Sequence, residues 1–198
     1  MKKTLMLILI SICTYACDSR VGANADDDIT AKVDTGVDCD TLAEWSDPIA
    51  GMRVNQHHIF CGEPARRDRA KGFHSMPGGI APNNHEDSQA GDPANAAGIY
   101  SLRNIELLFN GRQYEKTFST MYPKRCSLDQ VNHSIVYANQ NARGSCANPS
   151  WAQCGNSAPR NNNSGQYCVG DNGRPFTIAT AVLQREPSKI NTGFPIRE

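Results

Sequence analysis

Six cysteines past residue 25 constrain this chain more than any other feature: Cys39, Cys61, Cys126, Cys146, Cys154 and Cys168. Their weight comes from where the chain is sent. The N-terminus reads MKKTLMLILISICTYAC, two lysines followed by an apolar run from 5 to 12. That is the layout of a secretory signal, and the run is too short to span a bilayer. Two exits are open. Ala23-Asn24-Ala25 fits a small-x-small cleavage site and gives a secreted or periplasmic protein. Thr14-Tyr15-Ala16-Cys17 is a weak lipobox, which would leave a lipid anchor on Cys17 and no membrane span. Cys13 lies inside the signal, so an even set remains in the mature chain. In an oxidising compartment such a set is read as disulfides, and spacing alone leaves the pairing open.

The 198 residues suffice for one domain with its own core. A net charge of zero hides an asymmetry. Residues 26–48 carry eight acids (Asp26, Asp27, Asp28, Asp34, Asp38, Asp40, Glu44, Asp47) against Lys32, a net −7. Residues 49–198 carry 16 basic and 11 acidic side chains, a net +5. The chain therefore divides into a signal (1–25), an acidic linker (26–48) and a mildly basic domain (49–198). The acidic stretch is either a solvated linker or a polyanion mimic that covers a basic site.

Local patterning gives the elements. A short helix is expected at about 41–45, and 54–61 reads as helix or strand. Residues 77–95 are dense in Pro, Gly, Asn and Asp and read as a long loop. Residues 99–109 alternate in part, Asn110-Gly111 is a strong hairpin signal, and 113–122 returns as a strand. Ser127 is a good N-cap for Leu128, Val131, Ile135 and Ala138 at helical spacing. Residues 141–172 read as a loop organised by disulfides, and 174–183 with 189–194 as a closing hairpin. Without βαβ alternation this predicts an α+β fold of antiparallel sheets and flanking helices, stapled by disulfides.

The chemistry gathers around QHHIFCGEPARRDRAKGFHSMPGG, residues 56–79. His58 and His74 bracket a loop holding Arg66, Arg67, Arg69 and Lys71. A metal-free ribonuclease needs a base for the ribose 2′-hydroxyl, an acid for the departing 5′-oxygen and a cation for the phosphate. Histidine suits the first two roles because its pKa lies near operating pH. Lysine suits the third as a compact charge. A rival reading takes His57, His58, Cys61 and His74 as zinc ligands, although their spacing is not that of the usual tetrahedral sites. A disulfide-stapled binding module without catalysis is a further rival.

The string His58-Ile59-Phe60-Cys61-Gly62-Glu63, followed by Gly72-Phe73-His74, resembles the EndoU endoribonuclease family. Lys116-Thr117-Phe118-Ser119-Thr120-Met121-Tyr122-Pro123 resembles its Lys-then-STFFP segment, and Asn191-Thr192-Gly193-Phe194-Pro195 its terminal Thr-x-Tyr/Phe-Pro motif. Together they cover about residues 50–198. The coronavirus uridylate-specific endoribonuclease shares this skeleton.

The resemblance implies an RNA substrate, cleavage at uridine, a 2′,3′-cyclic phosphate product and a ribonuclease A-like fold. It implies His74 and His58 as base and acid, in either order, with Lys116 stabilising the transition state. Thr120 would contact the uracil edge, Phe194 would stack on the base beside Thr192, and backbone N–H groups at Gly72 and His74 would meet phosphate. It implies no required cofactor and leaves stimulation by manganese (Mn2+) open, since family members differ. A toxin or effector role would bring a cognate immunity or inhibitor protein as partner. Phe194 stands where a tyrosine is common and lacks its hydroxyl. The cysteine-rich segment 146–168 lies outside the family core, as a loop staple or a shaper of substrate access.

Overall fold

The structure is a computed structural model and describes residues 36–161 and 165–198. The signal, the lipobox and residues 26–35 of the acidic stretch fall outside the described residues. Among the described residues no helix is long and apolar enough to cross a membrane. The strands are β1 (Arg53–Val54), β2 (Glu63–Pro64), β3 (Ala70–Lys71), β4 (His85–Ala90), β5 (Tyr100–Phe109), β6 (Arg112–Met121), β7 (Gln153–Asn156), β8 (Thr177–Leu183) and β9 (Glu186–Pro195). One α-helix, α1, spans Leu128–Gln140.

The β5–β6 hairpin has a simple local cause. Asn110 and Gly111 sit at φ of 51° and 75°, the two left-handed residues that a tight hairpin turn needs. Pairing then runs from Phe109↔Arg112 out to Tyr100↔Met121. β4 adds to the outer edge of β5, giving a sheet of order β4-β5-β6. Ile105, Leu107 and Met121 from this sheet bury themselves against Phe73. β4 corrects the long-loop expectation for 77–95. Its sequence, HEDSQA, carries no apolar alternation, so only backbone pairing to β5 makes it a strand.

The second sheet has the order β1-β9-β8-β7. β8 and β9 form the expected closing hairpin, and α1 packs across β7, β8 and β9. The helix starts on a capping box: the Ser127 hydroxyl accepts from the Gln130 N–H, and the Gln130 side chain returns to the Ser127 N–H. Val131, Ile135 and Ala138 are fully buried on its inner face, with Ile178, Ile190, Val54, Phe60 and Tyr122 in the same core.

The fold class is α+β, with three differences from the expectation. The second sheet is mixed, because β1 runs parallel to β9 at Arg53↔Lys189 and Val54↔Ile190. α1 is the only α-helix among the described residues, so the sheets are not flanked by several. The helix expected at 41–45 is an isolated turn, with the Leu42 N–H donating to the Asp38 carbonyl and Trp45 bridging Asn55. Segment 54–61 is both kinds of structure in turn: β1 ends at Val54 and a π-helical turn spans His57–Cys61. β7 likewise lies inside the loop expected at 141–172, paired to β8.

The described part of the acidic stretch, 36–48, is not a solvated linker. Cys39 is bonded to Cys61, and Val37 and Leu42 pack against the main core. The other bridges are Cys126–Cys168, which ties the start of α1 to the chain leading into β8, and Cys146–Cys154, which closes a short loop before β7. Loop closure in the unfolded chain scales with the sequence separations of 42, 22 and 8 for Cys126–Cys168, Cys39–Cys61 and Cys146–Cys154. On that account they contribute about 4, about 3.5 and about 2.5 kcal/mol. Paired Cys→Ala variants measured by urea unfolding should lose stability in that order. A Cys146–Cys154 deletion that cost more than the Cys126–Cys168 deletion would refute the chain-entropy explanation.

Candidate active site

The site begins with a backbone problem: bringing residue 74 back beside residue 58. The π-helical turn holds His58, whose N–H donates to Asn55 Oδ1 at 2.9 Å. The chain then leaves through Gly62 and doubles back as β2 and β3, with Glu63 opposite Lys71 and Pro64 opposite Ala70. Gly72 closes the return at φ 74°, and a Cβ there would lie 2.1 Å from the His58 carbonyl oxygen. Only glycine fits that approach. The Phe73 N–H donates to the His58 carbonyl and the His74 N–H to the Ile59 carbonyl, each at 2.7 Å. The two imidazole rings end with centroids 5.9 Å apart. Both side chains are buried, at 7% and 8% exposure, yet both line one cleft.

Their partners differ. His58 Nδ1 lies 3.0 Å from Glu63 Oε2. Glu63 also receives Lys71 Nζ at 2.9 Å and Asn55 Nδ2 at 2.8 Å. Burial pushes the Glu63 carboxyl up. Hydrogen bonds from His58, Lys71 and Asn55 and the attraction of His58 outweigh it and hold the group at about 2. An ionised carboxylate only accepts, so His58 carries its proton on Nδ1 toward Glu63 and exchanges protons at Nε2.

His74 Nδ1 faces the Thr120 carbonyl at 3.2 Å and Ser119 Oγ at 3.0 Å. The Ser119 hydroxyl gives its one proton to the Phe73 carbonyl, at 2.5 Å, so it too is an acceptor toward His74. The Nδ1 proton is fixed there and Nε2 keeps the lone pair. Burial, then repulsion from Lys116 and His58, holds the His74 pKa well below the ordinary histidine range. The ring is neutral at physiological pH.

Lys116 stands on β6, where Nζ donates to the Gly72 carbonyl and, at 3.0 Å, to Ser119 Oγ. Burial away from any carboxylate lowers its pKa to about 7. Gly72, Phe73, His74, Lys116 and Ser119 are thus joined in one short hydrogen-bond network.

The cleft has a volume of about 720 Å³ and lies between β6 and the β8–β9 hairpin. His58, His74, Lys116, Gly72, Thr192 and Phe194 all line it, as do Arg69 and Lys71 from the basic loop. Arg66 and Arg67 do not line it. Phe194 stacks on His74, with centroids 5.2 Å apart. Thr120 is placed elsewhere. It lines an adjoining groove with Ser119 and Asn148, and that groove shares His74, Phe118 and Phe194 with the cleft.

His57 is turned out of the cleft, with Nε2 2.6 Å from the Leu42 carbonyl. Lys124, the other lysine near Thr120, lies over the Tyr100 ring in a separate cavity. The zinc reading fails on two of its ligands, because Cys61 is consumed by its bond to Cys39 and His57 faces a carbonyl.

Sequence reasoning missed Glu63, Ser119 and Trp151. Glu63 was visible, since it stands five residues after His58 beside a glycine. Ser119 sits three residues past Lys116 and had the same kind of signal. Trp151 had none, because a tertiary bend of a disulfide loop brings it to the cleft.

Neither a curated protein nor a solved structure matches the chain. A family model does: the bacterial EndoU nuclease model covers residues 52–197, a stretch that contains both histidines, Lys116 and the whole cleft. The chain belongs to the bacterial EndoU nuclease family.

Proposed function

We propose that this nuclease is an exported endoribonuclease that cuts RNA at uridine by attack of the 2′-hydroxyl, leaving a 2′,3′-cyclic phosphate and a 5′-hydroxyl. The observation that carries the reading is the different backing of two histidines 5.9 Å apart, a carboxylate behind His58 and uncharged oxygens behind His74. A neutral imidazole with its lone pair free is a general base, and this is His74. A ring backed by a carboxylate is held to deliver a proton, and this is His58.

The step balances within the substrate. His74 Nε2 takes the 2′-hydroxyl proton, and the 2′-oxygen forms a bond to phosphorus. The P–O5′ bond breaks, and His58 Nε2 gives its proton to the departing oxygen. Lys116 Nζ offsets charge on the phosphoryl oxygens, and the phosphate in turn favours the ammonium form of a lysine that burial has made easy to deprotonate. The chemistry is that of ribonuclease A-like enzymes, to which this reading relates the fold. Uridine is chosen by Thr120, whose hydroxyl can donate to O2 and accept from N3–H. Phe194 stacks and tolerates any base.

Replacing His58 or His74 by alanine should lower kcat/KM on a uridine-containing RNA by ~10²–10⁴ each. His57→Ala should leave it near wild type. Full activity in either His58→Ala or His74→Ala would end the two-histidine mechanism.

Lys116 carries a second prediction. Only a neutral amine is acylated, and a lysine with a pKa of about 7 is largely neutral above pH 7. Lys116 should therefore be modified by an amine-selective acylating reagent with a midpoint near pH 7, read by peptide mass spectrometry. A short RNA should protect Lys116. A midpoint above pH 10 would remove the buried-lysine explanation.

For base choice, cleavage ends on a mixed RNA should be sequenced at low turnover. Thr120→Ala should flatten the preference for uridine over cytidine more than it lowers total cleavage. Phe194→Ala should slow all sites alike. Equal cutting after all four bases by the wild type would remove the uridine assignment.

A further inference from the structure

Phe118 and Trp151 are the large hydrophobic side chains left exposed among the described residues, at 40% and 62%, and both line the catalytic cleft. Leaving an indole in water forgoes the transfer free energy that normally buries it. Trp151 is nevertheless held out firmly. Its loop is closed by Cys146–Cys154, by the Cys146 N–H on the Ala152 carbonyl at 2.8 Å and by the Cys154 N–H on the Gly144 carbonyl at 2.9 Å. Ala152, beside it, is fully buried against Ala179 and Phe194. The base of the loop is anchored while its aromatic tip stays in the cleft.

The other aromatics of the cleft have a ring face engaged. Phe194 stacks on His74, and the Arg103 guanidinium lies 5.3 Å over Phe118. Trp151 meets Phe194 only at a 52° tilt and 6.1 Å. Its indole face is open, in a cleft that also holds Arg69, Lys71 and Lys116. An open aromatic face beside a row of cations is the arrangement that binds a single-stranded nucleic acid, the ring taking a base and the cations the backbone. The base it takes is not the one that Thr120 reads. Thr120 lines the adjoining groove, Trp151 does not, and His74 and Phe194 stand between the two.

We propose that Trp151 is a stacking platform for a nucleobase flanking the scissile phosphate, a second base subsite carried by the Cys146–Cys154 loop. This rests on the ribonuclease reading above and names its substrate more narrowly: a single-stranded RNA segment, whose bases are free to stack, rather than a duplex. The subsite adds affinity without sequence choice, since every base has a π-face.

The test uses the mature protein and short RNAs with one internal uridine, in which one base at a time is replaced by an abasic residue. On the intact RNA, Trp151→Ala should raise KM by roughly five- to 100-fold, the span of base–aromatic stacking, and Trp151→Phe should largely restore it. The penalty should vanish when one particular flanking base is absent and persist when the others are. An unchanged KM would overturn the proposal. So would a penalty that persists on every abasic RNA, or one that vanishes only when the uracil is removed.

Intrinsic fluorescence gives a readout that does not depend on cleavage, because the chain has two tryptophans and the other, Trp45, sits under Lys189 outside the cleft. An RNA carrying 2′-deoxyuridine, which cannot be cut, should quench wild-type emission, and Trp151→Phe should abolish the change. No quenching in the wild type would overturn the subsite. Quenching by a protein that cuts no RNA would keep the subsite and sink the nuclease mechanism instead.

Discussion

The carbonyl oxygen of His58 sits where a side chain on residue 72 would have to go, and the geometry of the site follows from that contact. Because residue 72 is glycine, the chain can pass the π-helical turn at this range and lay Phe73 and His74 along it by backbone hydrogen bonds. Those bonds, rather than side-chain packing, set the separation of the two imidazoles. The same return exposes the Gly72 and Phe73 carbonyls to β6, where Lys116 and Ser119 take them up. A single close approach therefore places His58, His74 and Lys116 at once. Phe73 accepts a left-handed φ of 58° as a consequence, a conformation that a bulky residue rarely adopts. Strain of that kind persists where surrounding bonds over-determine the backbone.

His58, His74 and Lys116 share this cleft with Arg69 and Lys71, and Glu63 is bonded to His58 and Lys71. Burying like charges together is costly, and the site avoids the cost by not charging them all. His58 has Glu63. His74 has only carbonyl and hydroxyl acceptors and stays neutral. Lys116 has the Gly72 carbonyl and the Ser119 hydroxyl, which satisfy its donors without neutralising it. The cleft carries more positive than negative side chains, which under the proposed function suits a phosphodiester. Electrostatic preorganisation here means that groups destabilised in the free protein become matched once an anion arrives.

What could be read from the sequence divides along local and non-local causes. Asn110-Gly111 and Ser127-x-x-Gln130 specify a turn and a cap through their own dihedrals and side chains, so the β5–β6 hairpin and α1 were legible. The histidine pair, Lys116 and Phe194 were legible as a motif, because chemistry fixed their types and order. β4 and β7 were not. Their residues are polar or small, and each becomes a strand only because a free edge of another sheet is there to receive it. The turn at Asp38 mimicked a helix start with acids and a leucine but lacked residues to continue. Thr120 shows the limit of motif reading. The motif sets it four residues from Lys116, yet it lines a separate groove that shares His74 and Phe194 with the cleft.

The disulfides divide the molecule by purpose. Cys126–Cys168 lies in the main core, and Cys39–Cys61 joins it through Cys61, with Cys39 packed against its edge. Cys146–Cys154 closes the shortest loop and stands apart with Ala152, Ala179 and Phe194. A bridge over so short a span adds the least to global stability. Its effect falls also on the loop itself, which carries one exposed indole toward Phe194. The bridge contributes less to folding than the other two, and its local effect is to fix the position of one side chain, on which the proposed base subsite rests. The loop is thereby fixed at the Phe194 side of the cleft, with Ala152 buried and Trp151 exposed.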